Sequence, residues 1–192
     1  MQREQAWALV TEYTTQPHLI RHMLAVEAAM RAYAEHFGED VELWGLAGLM
    51  HDFDYEQNPD VSIEGHPIVG SRILKELGYP DEVVRAMLSH AADITNVEPE
   101  SQLEKTLVAV DEMTGFLVAV ALVRPSKSIL DVELKSVRKK WKTKEFAAPV
   151  NRVEIEHAAN EIGMTLDDHI LMVLNAMKAH AAELGLERQE AA

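Results

Sequence analysis

Apolar residues recur every three or four positions along almost the whole chain, and the two-residue alternation of a half-buried strand is hard to find. Such periodicity restricts the fold to packed helices. Leu19, Met23, Val26, Met30, Tyr33 and Phe37 form one stripe, with Pro17 where a first helical residue belongs and Gly38 closing the run. Asp40 is placed to cap a second helix carrying Leu43, Ala47 and Met50. Gly45 and Gly48 cost that helix some propensity, but they permit close approach by a neighbour. A polar loop over 55–65 precedes a helix that opens near His66-Pro67 and closes at Gly78, and Pro80-Asp81 begin another that runs to about His90. Ser101 and Glu104 have capping-box spacing at the head of a long helix stopped by Arg124-Pro125. Further helices are expected over 131–141, 149–162 and 165–184, with Gly163 and Gly185 ending the last two. The pattern predicts an all-α chain of eight or nine helices, a single irregular bundle over 1–192 undivided by any repeat or linker.

Length and composition narrow the chemistry. A chain of 192 residues is long enough to bury one core. It contains no Cys, which excludes disulfides, thiolate–zinc sites and thiol catalysis, so any metal must be held by His, carboxylate and water. The first residues lack the apolar core of a signal peptide, and the apolar run from Phe116 to Val123 is far short of the roughly 20 residues of a membrane span. A soluble, cytoplasmic protein with no membrane partner is expected. The net charge of −14 argues against nucleic acid as a partner, yet leaves room for a small phosphorylated substrate that responds to the local field.

Nine His in an acidic chain need individual sorting. His51-Asp52 ends an apolar helix where the pattern gives way to loop, a position from which both side chains can reach one ion. His22 lies on the inward side of its helix, with Val26, Ala29 and Tyr33 following at helical spacing. His66 opens a helix and His90 stands near the end of one. Asp111 sits inside the apolar stretch Leu107-Val108-Ala109-Val110 to Met113, where a carboxylate is expensive to bury without a partner such as a metal. His18 shares a helix face with His22 but is less inward; His36, His157, His169 and His180 have no partners suggested by sequence and read as solvated or core residues.

The order His22, His51-Asp52, Asp111 resembles the metal-binding pattern of the HD-domain superfamily of metal-dependent phosphohydrolases, and the resemblance covers roughly residues 17–124. It is nearest to the small bacterial HD proteins. The resemblance implies a metal-binding core at about 17–124 with helices of 125–185 packed on it. It implies one metal held by His22, His51, Asp52 and Asp111, with Asp52 bridging to a second held by His66 and His90. A mixed nitrogen and oxygen set with open positions suits Mn, Fe, Co, Ni or Mg better than structural zinc. A pair of such ions activates water and stabilises both oxygens in displacement at phosphorus. The chain departs from some relatives: Phe53-Asp54 follows the doublet in place of Ile-Gly, and Glu56 lies five residues after His51 rather than four.

The expected activity is therefore hydrolysis of a small phosphate ester or nucleotide by metal-activated water, with one or two divalent ions. Asp52 is the central group, and Asp54 or Glu56 is the candidate proton acceptor. Arg138, Lys139, Lys140, Lys142 and Lys144 form a basic cluster which, with Arg124 and Lys127, offers a phosphate-binding edge; a solvated helix face is the plainer reading. The same ligands also resemble those of HD-fold di-iron oxygenases, and a non-catalytic sensor with a structural metal is the third reading. Sequence does not separate the three, nor does it disclose the oligomeric state.

Overall fold

A computed structural model describes residues 2–62 and 64–188. The first three helices, α1 (Arg3–Tyr13), α2 (Pro17–Phe37) and α3 (Val41–Met50), are bound together by a buried carboxylate. Glu27 on α2 accepts from Arg3 Nε at 2.6 Å and Arg31 Nε at 3.0 Å, and Arg31 continues to Glu42 at 2.7 Å. Two cations around one buried anion remove the cost of an unpaired charge. Asp40 caps α3 as expected, accepting from the backbone N–H groups of Glu42 and Leu43. Gly48 lets α3 lie against α2: a Cβ there would stand 3.0 Å from the backbone N and Cα of Glu27. This close approach brings His51, the residue that ends α3, beside His22 one turn and a little more before Glu27 on α2.

A loop leads from His51 to β1 (Val61–Ser62) and β2 (His66–Pro67), a short parallel pairing that sequence alternation did not announce. Two residues per strand are too few for an alternating pattern. Next come α4 (Ile68–Glu76), α5 (Asp81–Ser89) and α6 (Ala92–Thr95). Gly78, at φ +75°, ends the first, and the buried Tyr79 anchors the turn into Pro80. Among the described residues there are ten α-helices rather than eight or nine, because α6 is a separate turn of only four residues that carries no apolar stripe of its own.

The long α7 (Gln102–Leu122) begins at the expected capping box: Ser101 Oγ accepts from Glu104 N at 3.2 Å, and the Glu104 carboxylate accepts from Ser101 N at 3.4 Å. It packs against α2, with Met113, Phe116, Leu117 and Val120 buried. A 3-10 turn (Ile129–Asp131) leads to α8 (Leu134–Trp141), α9 (Arg152–Glu161) and α10 (Leu166–Ala179), which are shorter than the periodicity suggested. Arg152 organises the α8–α9 connection. It donates to the carbonyls of Trp141, Thr143, Phe146 and Val150 while lying over the Phe116 ring at 5.2 Å. On the opposite side, His169 of α10 is buried and links three helices: its Nδ1 accepts from Tyr33 Oη (2.6 Å) and its Nε2 donates to the Ala109 carbonyl (2.8 Å). Burial lowers its pKa to about 4, which fixes the neutral ring. Among the described residues no helix is long and apolar enough to cross a membrane.

Candidate metal centre

Four helices and one strand deliver six side chains to one place. Helix α2 presents His22 from its second turn. The end of α3 presents His51 and Asp52, β2 presents His66, the end of α5 presents His90, and the middle of α7 presents Asp111. Helix ends suit His51 and His90 because a side chain there can turn past the last coil without leaving the apolar face that anchors the helix.

The donor atoms fall into two groups that share Asp52. In the first, His22 Nε2 is 2.9 Å from Asp111 Oδ1, 3.2 Å from His51 Nε2 and 3.6 Å from Asp52 Oδ2. In the second, Asp52 Oδ1 is 3.2 Å from His66 Nε2 and 3.6 Å from His90 Nε2, and those two nitrogens are 3.2 Å apart. Each group thus uses a different oxygen of one carboxylate. Bonds of about 2.1 Å to a single cation give ligand–ligand edges of about 3.0–3.4 Å. Separations of 2.9–3.6 Å fit such edges, so the residues present suit the divalent ions that the ligand pattern implies.

The imidazoles are oriented from behind. His51 Nδ1 donates to the Gly48 carbonyl at 2.8 Å and His90 Nδ1 to that of Met87. His66 Nδ1 bonds to Asp54 Oδ1 at 2.7 Å. At His22, the Thr114 hydroxyl donates to the Asp111 carbonyl (2.8 Å), leaving its oxygen to accept from Nδ1 at 3.3 Å. With Nδ1 committed in all four rings, the Nε2 lone pairs turn toward the centre. Charge agrees with this. Burial works to raise the Asp52 pKa, but the rings of His51, His66, His90 and His22 hold it well below the carboxylate range. Burial opposes protonation of His66, yet Asp52 and Asp54 raise it to about 9.

All six expected ligands converge and Asp54 stands directly behind one of them, whereas Glu56, Arg124, Lys127 and Lys140 lie elsewhere. Asp54, a candidate proton acceptor from sequence, has both carboxylate oxygens engaged. It is fully buried behind His66, and its second oxygen accepts from Gly70 N at 2.8 Å. A Cβ on Gly70 would lie 2.6 Å from the Asp54 carboxyl carbon, so a glycine there makes room for the contact. Glu56 is engaged in capping α2, accepting from the backbone of Thr15 (2.7 Å) and Gln16 (2.9 Å). Arg124 lies beyond the end of α7, where Leu122 is already eleven residues past Asp111, or about 17 Å at 1.5 Å per residue. Arg124 lines a different cavity with Lys178 and Arg188, and Lys127 belongs to the same distant turn. Lys140 covers the Phe146 ring at 4.7 Å, and Arg138 pairs with Asp167 at 3.2 Å, so the basic cluster is partly a structural face of α8. His18 is exposed one turn before His22.

Sequence reasoning missed Thr114 and the surroundings of the open side. Thr114 carried a weak signal, its spacing of three from Asp111 on one helix. The open side carried none, because α9 brings Glu154 from more than 40 residues along the chain to stand with Glu112 beside Asp111 and His90. Burial, then the nearby Asp111 and Glu154 charges, raise the Glu112 pKa against the Asn151 N–H that it accepts.

Comparison with known proteins agrees with this geometry. The family model described as HD domain matches residues 19–114, a span that contains all six converging ligands. Ribonuclease Y of Desulfotalea psychrophila is 33% identical over 99 residues, 51% of this chain and 18% of that protein. Ribonuclease Y of Nitratidesulfovibrio vulgaris is 28% identical over 99 residues, with the same shares. The chain therefore spans under a fifth of the length of these curated relatives. No solved structure is a significant match.

Proposed function

The chain belongs to the HD-domain family, and we propose on that premise that it is a metal-dependent phosphohydrolase acting on a small phosphate ester or nucleotide. The observation that carries the proposal is the sharing of Asp52: its two oxygens serve two separate groups of nitrogen ligands, as a bridging carboxylate must. Divalent ions bound there would lower the pKa of a water and neutralise charge on the phosphoryl oxygens. The chain's own residues supply positioning. Backbone carbonyls fix His51 and His90, Thr114 steadies His22, and Asp54 holds the His66 Nδ1 proton so that Nε2 stays free. Asp54 is in this reading a positioning residue.

The relatives' name raises a second reading, cleavage of an RNA phosphodiester. Net charge of −14 and the acidic residues beside Asp111 weigh against a polyanion and favour a small substrate. Elemental analysis of untagged protein, followed by a phosphoester and RNA panel on the same sample, tests both. Two equivalents of metal with turnover of small esters are expected, and Asp52→Ala should lose metal and turnover together. Unchanged metal content in Asp52→Ala would refute the site; cleavage of RNA alone would transfer the function to the second reading.

A further inference from the structure

On the side of His90 and Asp111 the metal centre adjoins a cleft whose charged lining residues are acidic. Its inner end, about 80 Å³, is lined by His90, Val108, Asp111, Glu112, Glu154 and Ile155. It continues through His90, Val108 and Glu154 into a wider cleft of about 600 Å³, where Asp93, Glu98, His157 and Glu161 are added. Neither part is lined by Lys or Arg. Arg85, the cation associated with this region, is engaged by Glu100 (2.9 Å), Glu104 (3.3 Å) and the Glu98 carbonyl (3.2 Å). Lys105, three residues before Val108, lines neither part.

We propose, resting on the phosphohydrolase reading, that Glu112, Glu154 and Glu161 make this site selective for a phosphate monoester whose alcohol half carries a positive charge. The reasoning is one of placement. A phosphoryl group belongs at the ligands, where bound ions outweigh Asp52 and Asp111. The other half of the ester then extends into the cleft, since His90 and Asp111 are common to the centre and to the inner cleft. Carboxylates that line the same partly enclosed space as an arm interact with it more strongly than charges across open water do. An ammonium is attracted there, and an anionic arm or a following nucleotide phosphate is repelled. In the reaction, water oxygen bonds to phosphorus and the phosphorus–oxygen ester bond breaks. A proton from that water ends on the leaving alcohol, which departs with its ammonium unchanged.

Two matched probe pairs test this on the metal-loaded full chain. The first is 4-aminobutyl phosphate against its neutral isostere pentyl phosphate, compared by kcat/KM. The second is 4-aminobutan-1-ol against pentan-1-ol, compared by calorimetric binding, which needs no turnover. The ammonium member of each pair should be favoured about tenfold at low salt, and less as salt is added. The exposed Glu154→Gln/Glu161→Gln double variant should remove most of that preference, and Glu161→Lys should reverse it. Equal binding of the two alcohols by wild type overturns the inference, for the acids are then only solvated surface charge. Hydrolysis of both phosphates at equal rates likewise sinks the inference and leaves the phosphohydrolase reading standing. A charge preference in the alcohols with no ester hydrolysed sinks the reading and keeps the acidic cleft.

Discussion

Of the four imidazoles that face the centre, His66 alone is held from behind by a charged side chain. Asp54 gives that ring more than a direction: a carboxylate makes Nε2 a stronger donor than a carbonyl does. In Asp54→Asn the amide can still accept from Gly70 N, so the turn should survive while the charge behind His66 is lost. Affinity for the second metal equivalent is expected to fall about 10–100-fold, the first remaining near its wild-type value. A metal titration by calorimetry reads this directly, and two unchanged binding steps would show that Asp54 merely packs. Of the six candidate ligands, Asp111 among Leu107, Val110 and Met113 and the inward His22 stood out from helical patterning, whereas His51-Asp52, His66 and His90 lie at element ends and entered the set through the order of the HD-type pattern. Asp54 and Glu56 were not legible in the same way. Their partners lie 12 and 41 residues distant, so a local pattern shows two carboxylates near the doublet but not that both are already engaged. Arg124 misled for the opposite reason: adjacency to the long helix says nothing about which end of it carries the chemistry.

Helix ends were readable to within a few residues where a cap or a glycine defines them, as at Asp40, Ser101 and Gly38. Separations between helices were less so. Gly45 and Gly48 pointed to a close neighbour without identifying it, and the neighbour is α2 at Arg31 and Glu27. A matched pair of substitutions separates contact from propensity. Gly48→Ala places a methyl 3.0 Å from the backbone of Glu27, which cannot move aside as a side chain end would. A net loss of about 1–3 kcal/mol is expected, despite the roughly 1 kcal/mol that Ala gains in a helix. Gly115→Ala on α7 meets nothing within 4 Å, so that gain should appear alone, about 0.5–1 kcal/mol. Urea unfolding of the two variants decides the matter. Opposite shifts in midpoint are expected, and stabilisation by Gly48→Ala would mean that α3 and α2 have slack between them.

At the scale of the whole molecule, the question is how the helices beyond residue 125 are tied to the half that holds the ligands. Arg152 ties α9 to α7 at the surface, and His169 ties α10 to α2 and α7 in the core. The second tie makes stability depend on acidity. In the folded chain the His169 pKa is about 4, against about 6.5 when unfolded, because the ring is buried with both nitrogens committed. Between those values the unfolded chain takes up a proton that the folded chain refuses, so stability is lost as the pH falls from about 6.5 towards 4. Full expression of the difference is worth about 3 kcal/mol. His169→Gln can still accept from Tyr33 and donate to Ala109 but does not titrate. It should be less stable than wild type at pH 8, since an amide fills the ring's space poorly. The gap should then narrow by about 3 kcal/mol on acidification to pH 4. Comparing the two proteins at each pH removes the contribution of the metal-site His, which both share. Calorimetric midpoints for the pair across that range measure the gap. Parallel curves would mean that the folded chain accepts the His169 proton, and that the junction of α10 with α2 and α7 opens without the rest of the molecule unfolding.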